Sequence, residues 1–150
     1  MEIERKYLVK QLPEKLSAYP HRIIEQGYLS TEPVIRIRKD GDKYELTYKS
    51  KGLMIREEYN LPLTQSSYEH LKPKTDGYLI TKERYNIPYH HLTIELDCFL
   101  GQFSPLILAE VEFPDEESAN AFVPPDWFGE DVTFSPAYQN SSLSQKGPLR

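Results

Sequence analysis

The chain has one cysteine, Cys98, so no internal disulfide can form. Its first residues carry Glu2 and Glu4 where an export signal would place a basic stretch and then an apolar one. These two absences favour the cytoplasm, with Cys98 as a small buried apolar side chain. No apolar run approaches the roughly 20 residues of a membrane-spanning helix, so no membrane partner is expected. Repeats, heptads and low-complexity linkers are also missing from the 150 residues, a length that suits one domain around one core. Nor is there an excess of basic charge. The formal net charge is −5, which argues against a broad surface for nucleic acid. The four histidines, His21, His70, His90 and His91, lack metal-ligand spacing and read as surface or structural residues.

What is present is period-2 alternation, the mark of β-strands with two unlike faces. It predicts strands near residues 2–9, 22–30, 34–39, 43–50, 54–61, 78–87, 92–99 and 107–113. Asp40-Gly41-Asp42 is a hairpin signature, and Lys51-Gly52, Asp76-Gly77 and Leu100-Gly101-Gln102 are further turn signals. Helices look few and short: 13–19 after Pro13, 65–72 after Thr64, 116–122 capped by Asp115, and about 136–144. Strand following strand at hairpin spacing predicts a mainly antiparallel sheet, closed or nearly closed into a barrel with helices outside.

One parity of each strand collects charge. The first strand gives Glu2, Glu4 and Lys6; the next charged ones give Arg36 and Arg38, then Glu45, Thr47 and Lys49, then Arg56 and Glu58. Lys82 and Arg84, Glu95 and Asp97, and Glu110 and Glu112 follow. Glu57 and Glu83 have the opposite parity, and Lys51 sits at a turn. Alternation alone does not say which face is inside; an ordinary sandwich would turn the charges to water. The signs, however, are sorted by strand. Same-face neighbours lie about 7 Å apart, so each like-charged pair costs energy unless an opposite charge sits between them. If these faces converge, the acids form an oxygen site for hard divalent cations and the bases a cradle for phosphates.

The ordered set of motifs resembles the triphosphate tunnel metalloenzymes, or CYTH superfamily, over nearly the whole chain. Glu2-x-Glu4-x-Lys6 on a first strand resembles the family signature. Gln26-Gly27-Tyr28-Leu29, Arg36-Ile37-Arg38, Leu46-Thr47-Tyr48-Lys49, Thr81-Lys82-Glu83-Arg84-Tyr85 and Ala109-Glu110-Val111-Glu112 are similar to its later strands. Trp127-Phe128-Gly129, Val132-Thr133 and Tyr138 through Leu143 resemble the tail of short bacterial members. Two positions depart from the pattern: Asn60 replaces an alternating acid, and Ala137 stands where relatives often carry an arginine.

The resemblance implies a single CYTH domain over 1–150, folded as an eight-stranded antiparallel β-barrel tunnel, and closest in kind to inorganic tripolyphosphatases. It implies a small-molecule triphosphate substrate, Mg²⁺ or Mn²⁺ as cofactor, and a monomer or homodimer. Arg36, Arg38, Lys49, Arg56, Lys82 and Arg84 would bind the phosphates. Glu2, Glu4 and Glu112 would hold a first metal, and Glu110 with Asp97 or Glu95 a second metal or the attacking water. Lys6 and Glu58 complete the catalytic set, the first orienting substrate or stabilising Glu4, the second either supporting the groups that touch substrate or orienting water as a base. The alternatives are a class IV adenylyl cyclase, a nucleoside or thiamine triphosphatase, and a non-catalytic triphosphate-binding module.

Overall fold

The computed structural model describes residues 1–149. Among them, ten strands form one antiparallel sheet: β1 (Glu2–Val9), β2 (His21–Thr31), β3 (Val34–Asp40), β4 (Lys43–Lys49), β5 (Ile55–Arg56), β6 (Glu58–Leu63), β7 (Asp76–Tyr89), β8 (Leu92–Phe99), β9 (Ile107–Glu112) and β10 (Phe128–Asp131). The order across the sheet is β10-β1-β9-β8-β7-β2-β3-β4-β6, with β5 on β1. Only Glu57 separates β5 from β6, so the two make one bent strand. Its first part pairs with β1, through Glu2↔Arg56 and Ile3↔Ile55, and its second with β4. That bend closes the sheet into a barrel of eight staves, as the alternation predicts. β10 is an addition outside that count, lying along the later half of β1.

The hairpin expected at Asp40-Gly41-Asp42 joins β3 to β4, with Asp40 paired to Lys43 and Gly41 at φ 63°. The turn expected at Asp76-Gly77 is instead the start of β7, where the register against β2 slips between Gln26 and Tyr28. Gly77 supplies the left-handed φ of 66° that this irregularity needs.

The outward parity is apolar and needs cover. α1 (Gln65–Leu71) starts at a capping box between Thr64 and Ser67 and seals one side with the fully buried Tyr68. α2 (Glu116–Asn120) is capped by Asp115 and brings Ala119 onto the main core. That core, built on Tyr7, Ile94, Leu96, Ala109, Val111 and Phe128, lies outside the barrel wall. The helix expected over 13–19 is only a 3₁₀ turn at Leu16–Ala18, because Lys15 enters it in a left-handed conformation. The last helix also differs from expectation. Pro136–Tyr138 forms a 3₁₀ turn, Gln139 is extended, and α3 (Asn140–Lys146) follows. α3 closes one end of the barrel instead of packing on its side wall. Leu143 packs with Ile80, Phe99 and Leu108, which continue the inward parity of Lys82, Asp97 and Glu110.

Candidate active site

The inward side chains surround a small cavity of about 60 Å³. β1 contributes Glu4 and Lys6, β3 Arg36 and Arg38, β4 Lys49, and the bent strand Arg56 and Glu58. β7 adds Lys82 and Arg84, and β9 adds Glu110. Ten of the expected site residues therefore share one lumen. Glu2, Asp97, Glu95 and Glu112 connect to it through the contacts below.

Much of this charge is internally paired. Asp97, with no exposed surface, receives Arg84 Nε at 2.7 Å, Arg84 Nη2 at 2.8 Å and Lys82 Nζ at 2.7 Å. Burial opposes ionisation of Asp97, but Arg84 and Lys82 outweigh it and hold its carboxyl below the ordinary value. Arg84 also reaches Glu95 at 3.2 Å. Glu2 accepts from Lys49 Nζ at 3.0 Å and lies 3.4 Å from Arg56. Lys49 extends to Glu58 at 3.6 Å. Glu110 stands 3.5 Å from Lys6 and 4.0 Å from Arg84. Burial works against its charge, yet Lys6, Arg84 and Lys82 keep Glu110 well below the usual carboxylate range.

Four groups have no such partner among the described residues. Arg36 donates Nη2 to Thr47 Oγ1 at 3.1 Å, and its buried Nε has no acceptor. Arg38 donates Nε to the neutral Gln26 Oε1 at 2.8 Å. Burial, with Arg36 and Arg84 nearby, pulls the Arg38 guanidinium down to about 9. Among the acids, burial together with Glu110 and Glu2 pushes Glu4 up to about 8. Glu112 is also raised, by burial and by Glu2, Glu58 and Glu95, although it sits exposed at the rim. In the register Glu4 lies opposite Glu112, and Glu95 opposite Glu110.

Among the described residues, no three acids, histidines or cysteines stand close enough together to chelate an ion. Glu2 and Glu110 are turned to their basic partners. The donor chemistry nonetheless fits a hard divalent cation. Glu4 and Glu112 are raised by burial and then by neighbouring acids, and a cation among those oxygens would replace the proton and relieve the repulsion.

Several contributors carry weak sequence signals. Gln26 shares the parity of Tyr28, and fixes Arg38. Asn60, which departs from the acid that the resemblance implies there, accepts from Thr47 Oγ1 at 2.6 Å, and Thr47 in turn faces Arg36. Tyr138 through Ser141 form the end wall. The Tyr138 carbonyl accepts from Lys6 Nζ at 3.0 Å, and Asn140 Oδ1 accepts from Lys82 Nζ at 3.1 Å and Gln26 Nε2 at 3.0 Å. Nothing in a serine-rich tail announces those contacts.

A closed antiparallel barrel thus gathers unpaired guanidinium groups and crowded carboxyl groups in one lumen. The chain belongs to the CYTH domain family, which matches residues 1–145. It is 44% identical to an inorganic triphosphatase of Nitrosomonas europaea, over 98% of this chain and 99% of that protein. An inorganic triphosphatase of Acetivibrio thermocellus is 37% identical, over 95% of this chain and 92% of that one. The crystal structure of an inorganic triphosphatase aligns with a TM-score of 0.74 at 38% identity, covering 99% of this chain and 97% of the other. No helix among the described residues is long and apolar enough to cross a membrane.

Proposed function

We propose that the protein hydrolyses inorganic triphosphate to pyrophosphate and phosphate with a divalent cation, Mg²⁺ or Mn²⁺. The observation that carries this reading is the lumen's double set of unpaired groups: Arg36 and Arg38 without a carboxylate, Glu4 without a base. A polyanion answers the first pair and a cation the second. The lining favours a bare inorganic chain over a nucleotide. Val34 and Tyr28 are its aliphatic and aromatic side chains among the described residues, against ten charged ones, whereas a base pocket is predominantly apolar.

In this reading Arg36 and Arg38 bind phosphate oxygens by forked hydrogen bonds, and Lys49, Arg56, Lys82 and Arg84 add charge along the chain. Asp97 is a positioning residue, because its oxygens are taken by Arg84 and Lys82. Glu4, Glu2, Glu110 and Glu112 would hold the cation, with Glu95 beside Glu110 at the outer mouth. When bound, the cation supplies neutralisation of charge at the terminal anhydride. Lys6, clamped between Glu110 and the Tyr138 carbonyl, fixes the Glu110 carboxylate. Glu58 orients the attacking water and accepts its proton. The water oxygen bonds to the terminal phosphorus, the bridging P–O bond breaks, and pyrophosphate leaves. Phosphoryl transfer of this kind depends on positioning and charge stabilisation more than on covalent help.

The test is phosphate release from tripolyphosphate with Mg²⁺ or Mn²⁺, repeated with EDTA, thiamine triphosphate and ATP. Cation-dependent release that is fastest with tripolyphosphate is expected. Cyclic AMP and pyrophosphate from ATP would assign a cyclase instead, and release undiminished by EDTA would overturn the cation's role.

A further inference from the structure

The lumen does not end in bulk solvent on the α3 side. A second, open cleft of about 360 Å³ lies beyond it, and the two share Val34, Lys49, Arg56, Gln139 and Ser141. The partition between the two is thus bordered by Gln139 and Ser141 on the α3 side and by Val34, Lys49 and Arg56 on the facing strands. Asn140 lies between Gln139 and Ser141 in the chain and lines only the lumen. The outer cleft carries Lys51, exposed and without an ion-pair partner among the described residues, and Glu32 is its one acid.

We propose that Asn140 fixes this partition and thereby sets the upper length of the polyphosphate chain that the tunnel accepts; the inference rests on the triphosphatase reading above. The partition is held at three points. Asn140 Oδ1 takes hydrogen bonds from Lys82 and Gln26, Gln139 Nε2 donates to the Gly52 carbonyl at 3.2 Å, and Leu143 is buried in the apolar end of the barrel. Of these, the Asn140 contacts are the ones made to a basic residue of the lumen, Lys82. Asn140 is a suitable stop because its amide oxygen satisfies two cradle donors without adding a negative charge. A chain with one more phosphate than the lumen holds must pass this point, and its next anionic group would then meet Lys51 in the outer cleft.

The experiment is calorimetric binding of tripolyphosphate and tetrapolyphosphate to the full chain without divalent cation, so that it does not depend on turnover. Asn140→Ala removes the acceptor and should improve tetrapolyphosphate affinity relative to tripolyphosphate by about tenfold, the scale of one hydrogen bond to a charged group. Adding Lys51→Gln to Asn140→Ala should cancel most of that gain. Asn140→Asp keeps the size and adds a negative charge, so it should weaken both ligands and leave tetrapolyphosphate disfavoured. A ratio unchanged by Asn140→Ala, or a gain that persists without Lys51, overturns the proposal. If the ratio shifts but the wild-type chain releases no phosphate from tripolyphosphate, the partition stands and the hydrolytic reading falls. If the wild type releases phosphate and the ratio does not move, hydrolysis stands and the partition falls.

Discussion

Glu4 and Glu112 face each other across the β1–β9 ladder, two acids in direct register with no base paired to either among the described residues. Like charges directly opposite in a sheet destabilise it. Of the two, Glu4 is the more perturbed, and the causes lie elsewhere: burial first, then Glu110 and Glu2, push its carboxyl up to about 8. A carboxyl raised on folding holds its proton in the native state after the unfolded chain has lost it. Its contribution to stability therefore falls as pH rises from the ordinary value of 4.5 towards 8. Glu4→Gln removes that dependence. In the cation-free protein at pH 8.5, the variant should melt higher than the wild type by roughly 2–4 °C for each 1 kcal/mol recovered. At pH 4.5 the two should melt together. The same variant should lose at least about 100-fold in turnover, the scale for removing a group that stabilises transition-state charge. Paired melting curves at the two pH values, with phosphate release alongside, measure both effects.

Arg38 makes the complementary case. Its fork is satisfied only by Gln26, and Arg36 lies beside it on the same strand. Removing one member of a crowded basic pair should cost the fold little, whereas an anion loses a bidentate partner. Arg38→Ala should weaken tripolyphosphate binding by about 10- to 100-fold, corresponding to about 1.5–3 kcal/mol for hydrogen bonds to a charged group. Its melting temperature should stay near that of the wild type. A binding titration at two salt concentrations should also show a shallower salt dependence for the variant, because one phosphate contact is gone.

The barrel and most of its inward residues are legible in the sequence because a two-residue period and strand-sorted charge leave few arrangements. Glu2, Glu4 and Lys6 all reach the interior, as do the basic pairs of β3 and β7. What alternation does not specify is pairing inside the lumen. Asp97 shares parity with Glu95, which groups it with the metal acids, but the register places it opposite Arg84. Parity also stops at the last strand. β10, the extended Gln139 and the seating of α3 depend on long-range contacts such as Leu143 on Leu108. Gly77 illustrates the same limit: Asp-Gly ordinarily marks a turn, yet here the glycine starts a strand because the end of α3 packs on it.

Asp97 gives a test that separates holding a cation from holding the cradle. It is fully buried, with Arg84 and Lys82 on its oxygens. Breaking one side of a buried ion pair costs about 3–5 kcal/mol, so Asp97→Ala should lower the melting temperature by roughly 6 °C or more. Where the variant is still folded, tripolyphosphate affinity should fall because Arg84 and Lys82 are no longer fixed, and Mg²⁺ affinity should change little. Glu112→Gln, on the exposed rim, should do the reverse: a small change in melting and a loss of cation affinity. Calorimetric titration of each ligand separately decides the assignment.

Two glycines with nearly the same backbone angle give the final prediction. Gly41 has φ 63° and Gly77 φ 66°, so alanine at either meets the same left-handed penalty, about 1–2 kcal/mol. Their surroundings differ. A Cβ on Gly41 meets nothing within 4 Å, while one on Gly77 would lie 2.1 Å from the Ser144 carbonyl oxygen in α3. That atom is backbone and cannot turn aside, so α3 must lift from β7. Gly41→Ala should therefore lower the melting temperature by only a few degrees, roughly 2–4 °C per kcal/mol, and leave the end wall intact. Gly77→Ala should destabilise more and loosen the wall, seen as faster amide exchange at Leu143 and along β7 near Ile80. Equal melting shifts and equal exchange in the two variants would mean that α3 does not depend on the close approach at Gly77.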